Sequence, residues 1–109
     1  MKSIICIAVP VLLLLVGNVQ AGTISCRGKV SVLMAEHVSC KDSDNKKQFA
    51  FKLEGMETWK CSGSDTASSL LLAAKISDKS LSVYISDGNG ATCSTHSAYL
   101  KSSYIILSN

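Results

Sequence analysis

The chain has 109 residues, 47% of them hydrophobic, and its 11 lysines and arginines outnumber 8 acidic residues for a formal charge of +3. That length leaves room for one small domain, which excludes a multidomain enzyme, and the charge is too modest for a protein held to nucleic acid by phosphate contacts.

Residues 1–21 begin with Lys2, run apolar from Ile4 to Val16 and end Val19-Gln20-Ala21. A charged start, an apolar stretch and small residues at the third-last and last positions predict a secretory signal cut after Ala21. The run 4–16 is shorter than the roughly 20 residues that cross a bilayer, so no membrane span is expected. Taking 21 of 109 residues away leaves 88, read as a single domain over 22–109. Cys6 departs with the leader, and Cys26, Cys40, Cys61 and Cys93 remain. An even count in a small exported chain predicts two disulfides, with three pairings open. There is no C-x-x-C pair and both histidines are isolated, so no metal and no cofactor is expected.

Strand patterns dominate residues 22–109. Lys29 to Glu36 starts with alternation at Val30 and Val32, and residues 41–47 read as a polar loop. Phe49, Phe51 and Leu53 alternate with Gln48, Ala50, Lys52 and Glu54, a half-buried strand broken by Gly55, and Met56 to Cys61 can pair back as a hairpin. Ser64 or Asp65 then caps a helix over about 66–76. Ala67, Leu70, Leu71 and Ala74 form one face of it, and Ser69, Leu72, Ala73 and Ile76 a second, apolar except for the serine. One stripe docks a helix on its sheet. The second implies contact with another chain through Leu72, Ala73 and Ile76, or a helix sunk in a small core. Leu81, Val83 and Ile85 alternate with Ser82, Tyr84 and Ser86 as a strand, residues 87–90 (Asp-Gly-Asn-Gly) form a hairpin-type turn, residues 91–98 form a short strand, and Tyr99 to Leu107 form the last. The fold class is therefore mainly β with one α-helix, and five or six strands around one helix suggest a small OB-type Greek-key barrel.

Little in the chain speaks for catalysis. His37 and His96 are the only acid–base candidates at neutral pH, and their spacing does not bring them together. Asp42-x-Asp44 resembles the start of a calcium loop, but Lys47 stands where glycine is needed and Leu53 where the last carboxylate is needed. Trp59 is either core or a platform for a sugar ring, with Lys60 beside it as a hydroxyl partner. Tyr84, on the polar phase of its strand, is a second aromatic for sugar contact.

The segment Ser69-Leu70-Leu71-Leu72-Ala73-Ala74-Lys75-Ile76 followed by Leu81-Ser82-Val83-Tyr84-Ile85 resembles the helix–strand core of the Shiga toxin B subunit, and Ser25-Cys26-Arg27-Gly28-Lys29-Val30 is similar to that family's first strand. More broadly the chain resembles receptor-binding B subunits of bacterial toxins with one A and five B subunits. The resemblance implies pairing of Cys26 with Cys93, which leaves Cys40 with Cys61. It also implies a homopentamer whose helices line a central pore holding the A subunit. The family's tryptophan just before the helix is replaced here by serines, and Trp59 lies ten positions before Ser69. The function expected is thus a non-enzymatic, secreted B subunit (bacterial periplasm, then extracellular) that binds host glycolipid or glycoprotein glycans and delivers an enzymatic A subunit. A monomeric periplasmic or secreted β-barrel inhibitor or binding protein is the alternative, and a small hydrolase needing both histidines is the third reading.

Overall fold

A computed structural model of the chain describes residues 22–87 and 90–108. The expected leader, residues 1–21, and the centre of the turn expected at 87–90 lie outside the described residues. Among the described residues, six strands form one sheet: β1 (Gly22–Gly28), β2 (Val30–Lys41), β3 (Lys47–Leu53), β4 (Lys60–Cys61), β5 (Leu81–Asp87) and β6 (Leu100–Leu107). A helix, α1 (Asp65–Ser77), is inserted between β4 and β5. The strand order is β1-β5-β6-β4-β3-β2. Of the paired neighbours, only β4 and β6 run parallel. The two strands at the ends of that order, β1 and β2, are separated in the chain by Lys29 alone.

Alternation explains most of the core. Leu81, Val83 and Ile85 of β5 are fully buried and pack with Phe51 and Leu53 of β3, Val30 and Cys26. Leu71 and Ala74 of α1 close this cluster. Ala67 and Leu70, on the face expected to dock, are half-buried. At the other phase of β3, Ala50 packs with Cys40 and Cys61 in a second, smaller cluster. Ala50 and Gln48 are therefore buried where simple alternation placed them outward, while Phe49 is only half-buried. Periodicity within one strand does not report what packs on its second face.

Helix α1 begins where its caps direct. The Ser64 side chain accepts from the Ala67 N–H at 3.1 Å, and Asp78 ends the helix in the left-handed conformation, its N–H facing the carbonyls of Ala74 and Lys75. Lys29 reaches Asp78 at 3.1 Å, which ties the β1–β2 junction to the end of the helix.

Two disulfides staple the sheet, Cys26–Cys93 and Cys40–Cys61. Residues 91–98 do not form the strand expected of them. The N–H groups of Thr95 and His96 donate to the Thr92 carbonyl, and the Thr92 N–H donates to the Thr95 hydroxyl at 2.8 Å. Threonine hydroxyls satisfy the backbone locally, so the segment turns instead of pairing.

Candidate functional site

Three rings gather beside the Cys40–Cys61 bridge. Tyr99 stacks on His37 with centroids 4.6 Å apart and lies near-parallel to Trp59 at 6.2 Å. Lys52 holds its ammonium 5.0 Å over the Trp59 ring. All four side chains are half-buried, and Trp59 and Tyr99 pack on the Cys40–Ala50–Cys61 cluster. Trp59 is thus neither core nor bare platform: it is one member of a partly exposed aromatic group.

The backbone is strained to build this group. Tyr99 sits at φ 62° and Glu36, immediately before His37, at φ 53°. Neither residue type favours the left-handed region, and such outliers persist where the surroundings fix them. Glu36 lies in an irregular stretch of β2, where the pairing with β3 shifts between Met34 and His37. Tyr99 is held by its N–H, which donates to the Trp59 carbonyl at 2.8 Å. Residue type alone gives no sign of either distortion, so the Tyr99–His37 stack has no signal in the sequence.

A second aromatic surface lies on β1, β5 and β6. Tyr84 faces outward as its phase required and stacks on Tyr104 at 4.4 Å. The register sets Arg27 opposite Ser82 and Ser82 opposite Ile106, with Ser25 opposite Tyr84 and Tyr84 opposite Tyr104 in the next row. Arg27 donates to the Ser82 hydroxyl at 3.2 Å, and the Ser86 and Ser103 hydroxyls meet at 3.3 Å.

Lys60 departs from its expected place. Instead of standing at the surface as a partner for sugar hydroxyls, it has no exposed surface. Its ammonium donates to the carbonyls of Thr58 at 2.9 Å and Cys93 at 3.1 Å. Burial lowers its pKa from 10.5 to about 8. The correction follows from β4, whose two residues are flanked on both sides by β3 and β6.

The histidines do not assemble a catalytic pair. His37 Nδ1 accepts from the Ser39 N–H, whereas His96, buried to 4% exposure, donates from Nδ1 to the Ser97 carbonyl at 2.7 Å. Among the described residues His96 Nε2 has no hydrogen-bond partner. Burial holds the His96 pKa below its ordinary value; the Ser97 bond opposes this, the Lys60 charge adds to it, and the Asp87 charge opposes it.

A buried polar network that the sequence did not suggest anchors α1. Gln48 Nε2 donates to Asp42 at 2.8 Å and to Asp65 at 3.0 Å, while its Oε1 accepts from Ser68 at 2.9 Å. Ser68 in turn lies 2.6 Å from the Ser62 hydroxyl. The Gln48 bond, chiefly, holds the carboxyls of both Asp42 and Asp65 below the usual range, and Lys46, paired with Asp65 at 2.9 Å, is raised by that partner. Behind this network, on the outer side of α1, Leu72 is 43% and Ile76 77% exposed, and Ala73 is exposed beside them.

Among the described residues no His, Cys, Asp and Glu side chains gather into a metal site, and no helix is long and apolar enough to cross a membrane. No known protein family, curated protein or solved structure matches the chain.

Proposed function

We propose that the mature chain is a secreted, non-enzymatic B subunit that assembles as a homopentamer, binds host cell-surface glycans and carries an enzymatic A subunit. The observation that carries this reading is the apolar stripe left in water on α1. A helix that already closes the core with Leu71 and Ala74 has no need of Leu72, Ala73 and Ile76 for its own domain. In a ring, that stripe faces the stripes of the neighbouring copies and the bore that holds the A subunit.

Two further features support a ring. The strand β2 ends the sheet order and exposes Val32, Met34 and Val38, while β6 has a paired neighbour at β4 for Leu100 and Lys101 only. Besides β1, the chain thus carries two different unpaired strand edges, and edges of that type join head to tail into a ring where the rotation closes. An OB-type barrel is the fold we read here. Its support is that β1 and β2, taken as one strand bent at Lys29, turn the order into a circuit of five strands with the helix between the third and fourth.

The aromatic group of Trp59, Tyr99 and His37 supplies the sugar-stacking surface, with Tyr84 on the other half of the sheet as a second contact. A single shallow sugar site is weak, and several on one rigid ring raise avidity by about 10²–10⁴ when they engage together. Native mass spectrometry of the mature protein tests the assembly: five copies are expected, and a single-chain mass would point instead to a monomeric inhibitor or binding barrel. A glycan array tests the ligand. Trp59→Ala is expected to lose array binding while keeping a cooperative melt, and unaltered binding in that variant removes Trp59 from the site.

A further inference from the structure

We infer that the outer face of β1, β5 and β6 is a pyranose-binding subsite centred on Tyr104, separate from the Trp59 group; the inference rests on the proposed glycan binding. Tyr104 is 53% exposed, a large aromatic surface for a strand residue, and it does not move freely, because one side of its ring is stacked on Tyr84. A ring held flat at the surface offers what the carbon-bound hydrogens of a sugar face pack on, at little further loss of side-chain freedom.

What surrounds the ring suits a polyhydroxylated ligand. Arg27 lies on the diagonal from Tyr84, roughly 7–8 Å away across the strand pair. Its guanidinium carries five donors, and among the described residues only the Ser82 hydroxyl takes one. The Ser86–Ser103 hydroxyl pair lies beside the aromatic pair, where the pairing of β5 with β6 shifts between Tyr84 and Ile85. Among the described residues no carboxylate stands in either row of this face, so nothing there competes with a sugar hydroxyl for Arg27. Ile106, 44% exposed and opposite Ser82, gives the apolar edge that a sugar's methyl or acetamido group would cover. Apolar platform, convergent donors and a short apolar edge together fit a pyranose better than an aliphatic or a strongly cationic ligand.

Saturation-transfer NMR on the assembled mature protein tests this with four free probes, the methyl glycosides of galactose, glucose, N-acetylglucosamine and N-acetylneuraminic acid. At least one is expected to receive transfer, and its affinity is expected to fall about tenfold or more in both Tyr104→Ala and Arg27→Gln. Arg27→Gln keeps the test standing should Tyr104→Ala fold poorly. An affinity unchanged in both substitutions overturns the subsite, as does silence from all four probes. Array binding that is lost in Trp59→Ala and intact in Tyr104→Ala removes this subsite and leaves the broader glycan reading in place; a wild-type protein that binds nothing on the array removes both.

Discussion

The two aromatic groups of this protein are built in opposite ways. Tyr84 and Tyr104 stand opposite one another at the end of the in-register run Leu81–Tyr84 of β5 on β6, just before the pairing shifts between Tyr84 and Ile85, and both keep ordinary backbone. His37, Tyr99 and Trp59 meet only because one strand is irregular, one tyrosine is left-handed and a disulfide lies beneath. The first group is a consequence of the sheet. The second is imposed on it, and its stability is borrowed from the covalent link.

That contrast is sharpest when the links are cut. Replacing both Cys26 and Cys93 with alanine opens a loop of 67 residues and is expected to cost about 4 kcal/mol, against about 3 kcal/mol for Cys40 and Cys61, whose separation is 21. Denaturant melts read the two costs. The comparison itself is tested by tryptophan fluorescence in the Cys40/Cys61 variant: emission of Trp59 should shift well before global unfolding. A single coincident transition would show that the group does not depend on the bridge.

The next effect is smaller. Tyr99→Ala removes the stack and keeps the left-handed backbone, whereas Tyr99→Gly removes the stack and relieves it. The glycine variant is therefore expected to be more stable than the alanine variant by about 1 kcal/mol, the reverse of their order at an ordinary strand position. Tyr84→Ala, where φ is not positive, should lose about 1 kcal/mol of pair contact with no such reversal when glycine is tried. Equal behaviour at positions 84 and 99 would erase the distinction.

Acid separates the regions most gently. His96 has a folded-state pKa below that of the unfolded chain, so the folded state binds the proton less well. Its contribution is complete above the unfolded value of 6.5 and declines as pH falls below it. Melting temperature should therefore drop as pH falls below about 6.5, with the drop absent in His96→Gln, and rise again above about pH 8, where Lys60 loses its proton more readily folded than unfolded. Asp42 and Asp65, also lowered, act in a separate window, below their ordinary value of 3.8. Because residues 93–99 run from the Cys93 bridge through His96 to Tyr99, the acid step should disturb the Trp59 group and spare the Tyr84–Tyr104 pair.

Much of the fold was legible in local pattern. Ser64 as cap, the docking of Leu71 and Ala74, the buried phase of Leu81, Val83 and Ile85 and the outward phase of Tyr84 all follow from periods of 3.6 and 2. Both disulfides pair as the toxin-family resemblance implied. What could not be read is what depends on distant neighbours. Lys60 looks like a surface lysine until two strands flank it and two carbonyls accept from it. Residues 91–98 look extendable until the Thr92 and Thr95 hydroxyls take the backbone for a turn. Gln48 looks like the polar half of an alternation, yet it is 3% exposed because a helix serine and two carboxylates satisfy its amide.

That amide helps set the azimuth of the helix. Successive residues of an α-helix differ by about 100° around its axis, and the stripe Ser68-Leu71 has a near copy one position on, Ser69-Leu72. At those two positions burial does not choose, for leucine would replace leucine and serine would replace serine beside Gln48, but at the third Lys75 would take the buried place of Ala74. The second bond of Gln48 reinforces that choice, since Asp65 accepts it and Thr66, one position on, has no carboxylate to do so and none to offer Lys46. Fixing α1 in one rotational setting decides which leucine the protein keeps for itself and which it shows to its surroundings.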